Sequence, residues 1–243
     1  MKIKIINPNT TLRMTREVEG IAKKYASIGT EVYAVSPQTG PDSIESLYDE
    51  AFAVPGVISE VIKGDREEGA DAFIIACFGD PGIEAAREVT AKPVIGIAQA
   101  AFTVAQLMAP NFSVLYVLDR SQKIIENVLA LHDAEKKCCS IRSIGMSVLE
   151  SEDKDKLFAA LMKQAKICRD EDGAECVLLG CAGFVQFAKL MTKELGILVL
   201  DGVVPAVRLC EALVGMNIKS PKRKLTTYPD SKKLEGFENL TLF

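Results

Sequence analysis

The sequence predicts an α/β protein of two pseudo-symmetric, Rossmann-like lobes. Each lobe is expected to be a four-stranded parallel sheet flanked by helices, with an active-site cleft between them. Three observations lead there. Short, wholly apolar runs such as Ala72–Ala76 alternate with longer stretches of helical character, the pattern of parallel strands covered on both faces by crossover helices. The run from Gly69-Ala70-Asp71 to Cys77-Phe78-Gly79 returns as Gly173-Ala174-Glu175 to Cys181-Ala182-Gly183, both reading Gly-Ala-acid-x-apolar-apolar-apolar-small-Cys-x-Gly. The two cysteines are 104 residues apart, and the same offset lays Pro93-Val94-Ile95 on Ile197-Leu198-Val199. A motif repeated together with its following strand implies two related halves. We expect residues 1–97 with about 203–243 in the first lobe and 98–202 in the second.

The elements follow in order. Lys2–Ile6 is a β-branched run that stops at Asn7-Pro8-Asn9-Thr10-Thr11, where Thr10 or Thr11 can cap a helix to Ala26. Glu31–Ser36 is the second strand, and Pro37–Pro41 a loop of strong breakers. A long helix is expected over Ser43–Glu68, kinked or broken at Pro55-Gly56, with Ser43 and Glu45 capping and pairing at its start. The Ala72–Ala76 strand, a short helix Ile83–Val89 and the strand Pro93–Ile97 complete the first half. The second half has helix Ala98–Met108, strand Ser113–Leu118, a helix opened by Asp119-Arg120-Ser121 and running to His132, and strand Cys139–Met146. Ser151 is expected to cap the next helix, with Glu152, Asp153 and Asp155 in its first turn. Strand Cys176–Gly180, a helix to Leu195, strand Ile197–Asp201 and helix Val203–Val214 close the pattern. From Gly215 the chain is polar, and the basic cluster Lys219 to Lys224 reads as a solvated surface arm.

Bulk properties narrow the function. The 243 residues are 48% hydrophobic and 26% charged, enough to build a core without disulfides or metal, and the net charge is −4 with both signs interspersed. That distribution lacks the basic face of a nucleic-acid binder. No apolar run reaches the roughly 18 residues of a membrane span, and Met1–Ile6 is too short for a signal peptide. We therefore expect a soluble cytoplasmic protein. The seven cysteines form no CxxC pair and only one histidine, His132, is present, so free thiols and no zinc site are expected.

In open parallel sheets ligands sit beyond the carboxyl ends of the strands, which is where Cys77 and Cys181 fall. Each precedes an x-Gly whose backbone N–H groups can face a ligand, and a helix N-terminus is expected to lower each thiol pKa toward neutrality. If the halves face each other, the sulfurs approach one cleft from opposite sides. That suits racemisation of a carbon acid: one cysteine as thiolate removes a proton, the other as thiol returns one, and backbone donors stabilise the enolate-like intermediate. No metal or organic cofactor is required.

The chain resembles the aspartate/glutamate/hydantoin racemase superfamily over about residues 3 to 214, and within it the hydantoin and allantoin racemases. The likeness rests on Asn7-Pro8-Asn9-Thr10, Gly40-Pro41-x-Ser43-Ile44-Glu45 with Tyr48-Asp49, Cys77 to Gly82, Gly96-Ile97-Ala98 and Leu179 to Gly183. Amino-acid racemases of the superfamily usually read Cys-Asn-Thr and Gly-Cys-Thr, whereas this chain has Cys-Phe-Gly-Asp and Gly-Cys-Ala-Gly. Gln99 stands where the family often has Glu. The resemblance implies Cys77 and Cys181 as catalytic acid/bases for a 5-substituted hydantoin or allantoin. It implies a substrate site of Asn9, Ile44, Phe78, Gly79, Asp80, Arg120, Ser121, Ala182 and Gly183, and a homo-oligomer.

Each residue also has a plainer reading. A lone cysteine at a strand end is a small core residue, and Cys138, Cys139, Cys168, Cys176 and Cys210 are read that way or as incidental. Asn9 is ordinary turn chemistry. Asp80 caps the helix it precedes, with an indirect effect on the thiol. Ile44 and Phe78 are core, and His132 is a surface residue at a helix end. Two other functions remain open: another cysteine enzyme of the superfamily, such as an amino-acid racemase or a maleate-type isomerase with a covalent cysteine, and a non-enzymatic small-molecule binding module.

Overall fold

A computed structural model describes residues 1–147, 150 and 153–237. Its strands are β1 (Lys2–Ile6), β2 (Glu31–Val35), β3 (Ala72–Ile75), β4 (Val94–Gly96), β5 (Phe112–Tyr116), β6 (Cys138–Ser143), β7 (Cys176–Leu179) and β8 (Leu198–Leu200). The helices are α1 (Leu12–Tyr25), α2 (Leu47–Arg66), α3 (Ile83–Val89), α4 (Ile97–Met108), α5 (Gln122–Leu131), α6 (Lys154–Asp170), α7 (Ala188–Leu195) and α8 (Val203–Gly215). The strands form two parallel sheets, ordered β2-β1-β3-β4 and β6-β5-β7-β8. The fold is therefore two four-stranded α/β units of identical strand order, as the doubled motif implied.

The central strands β1, β3, β5 and β7 are almost wholly buried because helices cover both faces of each sheet. One core cluster runs through both units: Ile5 and Ile74 of the first, Val114 and Leu178 of the second, and Phe102 of α4 and Val207 of α8 between them. Gly202 allows α8 to start hard against α4, since a Cβ there would lie 2.2 Å from the Ile97 carbonyl oxygen. Helix α1 packs on the segment 182–187 of the opposite unit, where Met14 joins the core around Phe184. In β1, Lys4 is fully buried yet pairs with Glu60 and Glu68, each at 2.7 Å, so its charge is compensated.

Several expected boundaries shift. Helix α2 runs unbroken through Pro55 and begins at Leu47, with Ser46 as N-cap accepting from the Asp49 N–H; Ser43 and Glu45 precede it. Thr11 is the N-cap of α1 but its side chain makes no cap bond; Asn9 Oδ1 accepts from the Thr11 N–H instead. The segment Asp119–Ser121 is a 3-10 turn ahead of α5, and Ala182–Phe187 is 3-10 rather than α-helical. Asp153 is the N-cap of α6, accepting from the Lys156 N–H; the expected cap Ser151 and Glu152 lie outside the described residues. The chain after α8 lies on the first unit. Ser220 N–H donates to the Ala91 carbonyl, and Lys222 Nζ donates to the Arg87 and Glu88 carbonyls and sits 4.8 Å from the Tyr228 ring centroid. Lys222 is thus a helix-end clasp, not a merely solvated charge.

Candidate active site

The carboxyl ends of the four central strands meet at one small cavity. Asn7 and Asn9 follow β1, Ala76 and Cys77 follow β3, Val117 and Ser121 follow β5, and Gly180 and Cys181 follow β7; all eight line it. Its volume is about 50 Å³, room for a few water molecules. Ile44, Phe78, Tyr116 and Ile124 are among its apolar walls, and no charged side chain among the described residues lines it.

The two cysteines are held alike. The Asp80 N–H donates to the Cys77 carbonyl and the Phe184 N–H to the Cys181 carbonyl, each at 3.0 Å, and the backbone at Gly79 and Gly183 favours the respective thiolate. Cys-x-Gly thus builds the same turn twice, closed each time by the N–H of the residue after the glycine. Glycine is required at 79, where a Cβ would lie 1.9 Å from Glu50 Oε1 and 2.8 Å from Ile124 Cγ2. The expectation that helix N-termini lower the thiol pKa values is overturned. Burial dominates and raises both, Cys181 to about 11 and Cys77 higher still, while the backbone at Gly79 and Gly183 only partly opposes it. The helix following Cys77 begins only at Ile83, and Cys181 is followed by 3-10 structure, so neither sulfur sits at the first turn of an α-helix.

The neighbourhoods differ in charge. Cys77 faces Glu50, Asp80 and Cys181, all of which disfavour its thiolate. Cys181 faces Glu45, which disfavours the thiolate, and Lys154, which favours it. Glu50 Oε1 is buried without a hydrogen-bond partner. Burial, and then the charge of Asp80, raise the Glu50 pKa from 4.5 to about 7.

Asn9 reconciles its two readings. Its Oδ1 accepts from Asn7 Nδ2 at 2.8 Å and from the Thr11 N–H, while its Nδ2 has only the weak acceptor Met14 Sδ at 3.6 Å. The turn uses the carbonyl, and the Asn9 amide group lies at the cavity with no stronger acceptor among the described residues. Ile44 and Phe78 are both core and cavity wall: each is at least 90% buried, and Phe78 meets Phe102 edge-on at 5.6 Å. Ser121 lines the cavity, but its hydroxyl donates to the Glu45 carbonyl at 2.8 Å, fastening the Ile44–Glu45 loop across the units. Ala182 lines the cavity as well; Gly183 does not. Arg120 is exposed on the 3-10 turn and does not line the cavity.

Asp80 is also outside the cavity lining, and it does not cap its own helix. The N-cap of α3 is Gly82, without a side-chain cap bond. The Asp80 carboxylate instead caps α4, accepting from the Ala98 N–H at 3.0 Å and the Gln99 N–H at 2.9 Å. His132 Nε2 lies 2.9 Å from Asp80 Oδ2, and the His132 side chain is only 7% exposed. His132 is therefore not the surface residue the sequence suggested. The contact spans 52 residues and the two units, and no local pattern could have revealed it. The Gln99 side chain accepts from Arg87 Nη2, pointing away from the thiols. Among the described residues no cluster of three or more His, Cys, Asp or Glu is placed to hold a metal ion. The seven cysteines are all free.

Comparison with known proteins agrees with this arrangement. The model of the Asp/Glu/Hydantoin racemase family matches residues 3–210. The chain is 48% identical to a hydantoin racemase of Pseudomonas sp. (strain NS671), over 97% of this chain and 95% of that protein. It is 42% identical to a hydantoin racemase of Rhizobium meliloti, over 97% and 98%. The structure of an allantoin racemase from Klebsiella pneumoniae superposes with a TM-score of 0.96 at 39% identity, covering 100% of both chains. Two matched parallel sheets, a doubled Cys-x-Gly turn at one cavity and a match across nearly the whole sequence place the chain in the Asp/Glu/hydantoin racemase family of isomerases.

Proposed function

We propose that the protein racemises 5-substituted hydantoins or allantoin, by 1,1-proton transfer between Cys77 and Cys181 and without an organic cofactor. The observation that carries this is the pair of cysteines at equivalent strand ends, each opening the same hydrogen-bonded turn, both lining one cavity that has no charged side chain among the described residues. A neutral planar ureide suits such walls. A free amino acid would bring an ammonium and a carboxylate with no lining charge to pair them.

The chemistry follows from the groups present. The carbon between the ring carbonyl and ring nitrogen is acidic because its carbanion delocalises onto oxygen. One thiol is first ionised, its proton passing to solvent water or hydroxide; the thiolate then takes the α-proton, and the C–H electron pair moves into the enolate. The opposite thiol then delivers its proton to the other face, so thiol and thiolate exchange roles. Because burial favours neutral sulfur, the thiolate is a minor and reactive species, and the rate should rise with alkaline pH. The backbone N–H groups of Phe78 and Ala182, which follow the two cysteines, are the donors for the enolate oxygen, Asn9 Nδ2 binds a ring carbonyl, and Ile44 and Phe78 hold the ring plane. A homo-oligomer belongs to the same reading, and the free thiols suit a reducing cytoplasm.

The test is optical rotation of single enantiomers in deuterated buffer, with NMR at the α-carbon, beside Cys77→Ser and Cys181→Ser. Loss of rotation with deuterium incorporation, abolished in both variants, is expected. A substrate–thiol adduct without α-exchange would instead indicate a covalent cis–trans isomerase. Ligand binding without turnover would indicate a binding module.

A further inference from the structure

We propose that Asp80 and His132 form a positioning pair that holds the Cys77 turn in register with the opposite unit; the pair acts through Cys77 and does not touch substrate. The proposal rests on the reading of Cys77 as an acid/base.

Four observations carry it. First, Asp80 is buried, 2% exposed, and the hydrogen bonds of its carboxylate are all long-range: two N–H groups at the start of α4 and the imidazole of His132. Second, its backbone is left-handed at φ +48, a costly conformation for a residue with a Cβ. Its N–H donates to the Cys77 carbonyl at 3.0 Å, so the turn that presents the thiol is closed by the residue that is clamped. Third, the chain leaves room for this carboxylate: a Cβ on Gly96 would lie 2.0 Å from Asp80 Cγ. Fourth, the clamp belongs to one thiol only. The 104-residue offset places Phe184 opposite Asp80, and Phe184 is a fully buried core residue.

His132 gives the clamp its reach. It is the C-cap of α5, and the first turn of the same helix contributes Ile124 and Ile125 to the cavity wall. One rigid helix thus touches the reaction cavity at one end and the base of the Cys77 turn at the other. Fixing Asp80 to His132 sets the depth of the thiol against the wall that a substrate ring would meet. Errors of about 1 Å in such placement cost on the order of 10²-fold in rate. His132 also lines a solvent-open surface pocket with Gln99, Thr103 and Gln106, so small molecules can reach the place of its ring.

The experiment uses the full chain with His132→Ala, His132→Gln and Asp80→Asn. We follow racemisation and, separately, iodoacetamide labelling of Cys77 in a Cys181→Ser background and of Cys181 in a Cys77→Ser background. His132→Ala should lower kcat about 10-fold or more with KM changed less than about 2-fold. It should alter labelling of Cys77 and leave Cys181 unaffected. Added imidazole, and the donor amide of His132→Gln, should restore both readouts substantially; Asp80→Asn should mimic His132→Ala. The proposal is overturned if Cys77 labelling and kcat are unchanged in His132→Ala. It is equally overturned if both thiols change together and neither imidazole nor Gln restores them, the sign of a merely structural contact. A wild-type protein that racemises no ureide would refute the functional reading, while Cys77 labelling would still decide the clamp.

Discussion

Replacing Glu50 by Gln tests the electrostatics around Cys77 most directly. Glu50 Oε1 is buried without a partner, and burial together with the charge of Asp80 raises its carboxyl pKa from 4.5 to about 7. A rise of that size corresponds to roughly 3 kcal/mol, at about 1.36 kcal/mol per pKa unit. The residue is only half-buried and solvent screens part of the effect, so about 1–2 kcal/mol is a sounder figure. The sign follows from proton linkage. Between 4.5 and about 7 the folded protein holds a proton on Glu50 that the unfolded chain has released, so this contribution is present below 4.5 and lost as pH rises through about 7. Glu50→Gln removes that loss. Urea denaturation of both proteins near pH 5 and near pH 8 should show the variant gaining about 1–2 kcal/mol over wild type between the two conditions. Ionised Glu50 also faces Cys77, so the variant should label faster at Cys77 near pH 8. An identical stability difference at both pH values would refute the claim that the carboxyl is held protonated by its surroundings.

Three further outcomes are expected. Because Cys181 is raised only to about 11 while Cys77 is raised further, iodoacetamide should modify Cys181 first as pH rises; mass-spectrometric mapping of partly labelled protein checks this, and equal labelling would remove the proposed inequality of the thiols. Gly96→Ala should displace the Asp80 carboxylate, whose Cγ would lie 2.0 Å from the new Cβ; activity should fall at least about 10-fold through the misplaced Cys77 turn, and near-wild-type turnover would contradict the clamp. Phe102 is 1% exposed and contacts Phe78, Phe112 and His132 at ring distances of 5.6, 5.6 and 6.2 Å; Phe102→Ala should cost about 3–5 kcal/mol in chemical denaturation, and a loss below about 1 kcal/mol would show that the core tolerates the cavity.

Reading the sequence located what depends on local pattern. Apolar runs such as Ala72–Ile75 and Cys176–Leu179 are strands because only both-face burial accommodates uninterrupted apolar residues. The repeat implied two units of the same design, since duplicated patterns bury the same faces. It also marked Cys77 and Cys181, because Cys-x-Gly returns at the same place in each half. Boundaries set by competing local terms were less legible. Pro55 sits inside α2 although it cannot donate to the helix ladder, and 182–187 tightens to 3-10 where an α-helix was expected.

What only the tertiary structure decided is how distant segments share charge and space. Asp80 looked like the cap of the helix beside it, yet serves α4 and His132, 18, 19 and 52 residues away. Glu50 carried no signal in the sequence, because its raised pKa comes from burial beside Asp80. The thiols themselves were expected to be acidified by helix ends; neither sulfur meets the first turn of an α-helix, and desolvation raises both pKa values. Periodicity and repetition are properties of neighbours along the chain, so sequence alone determined the strands, the two units and the paired cysteines. Solvation and long-range hydrogen bonding are properties of neighbours in space, so the protonation of those cysteines and the clamp behind one of them were settled only when the chain folded.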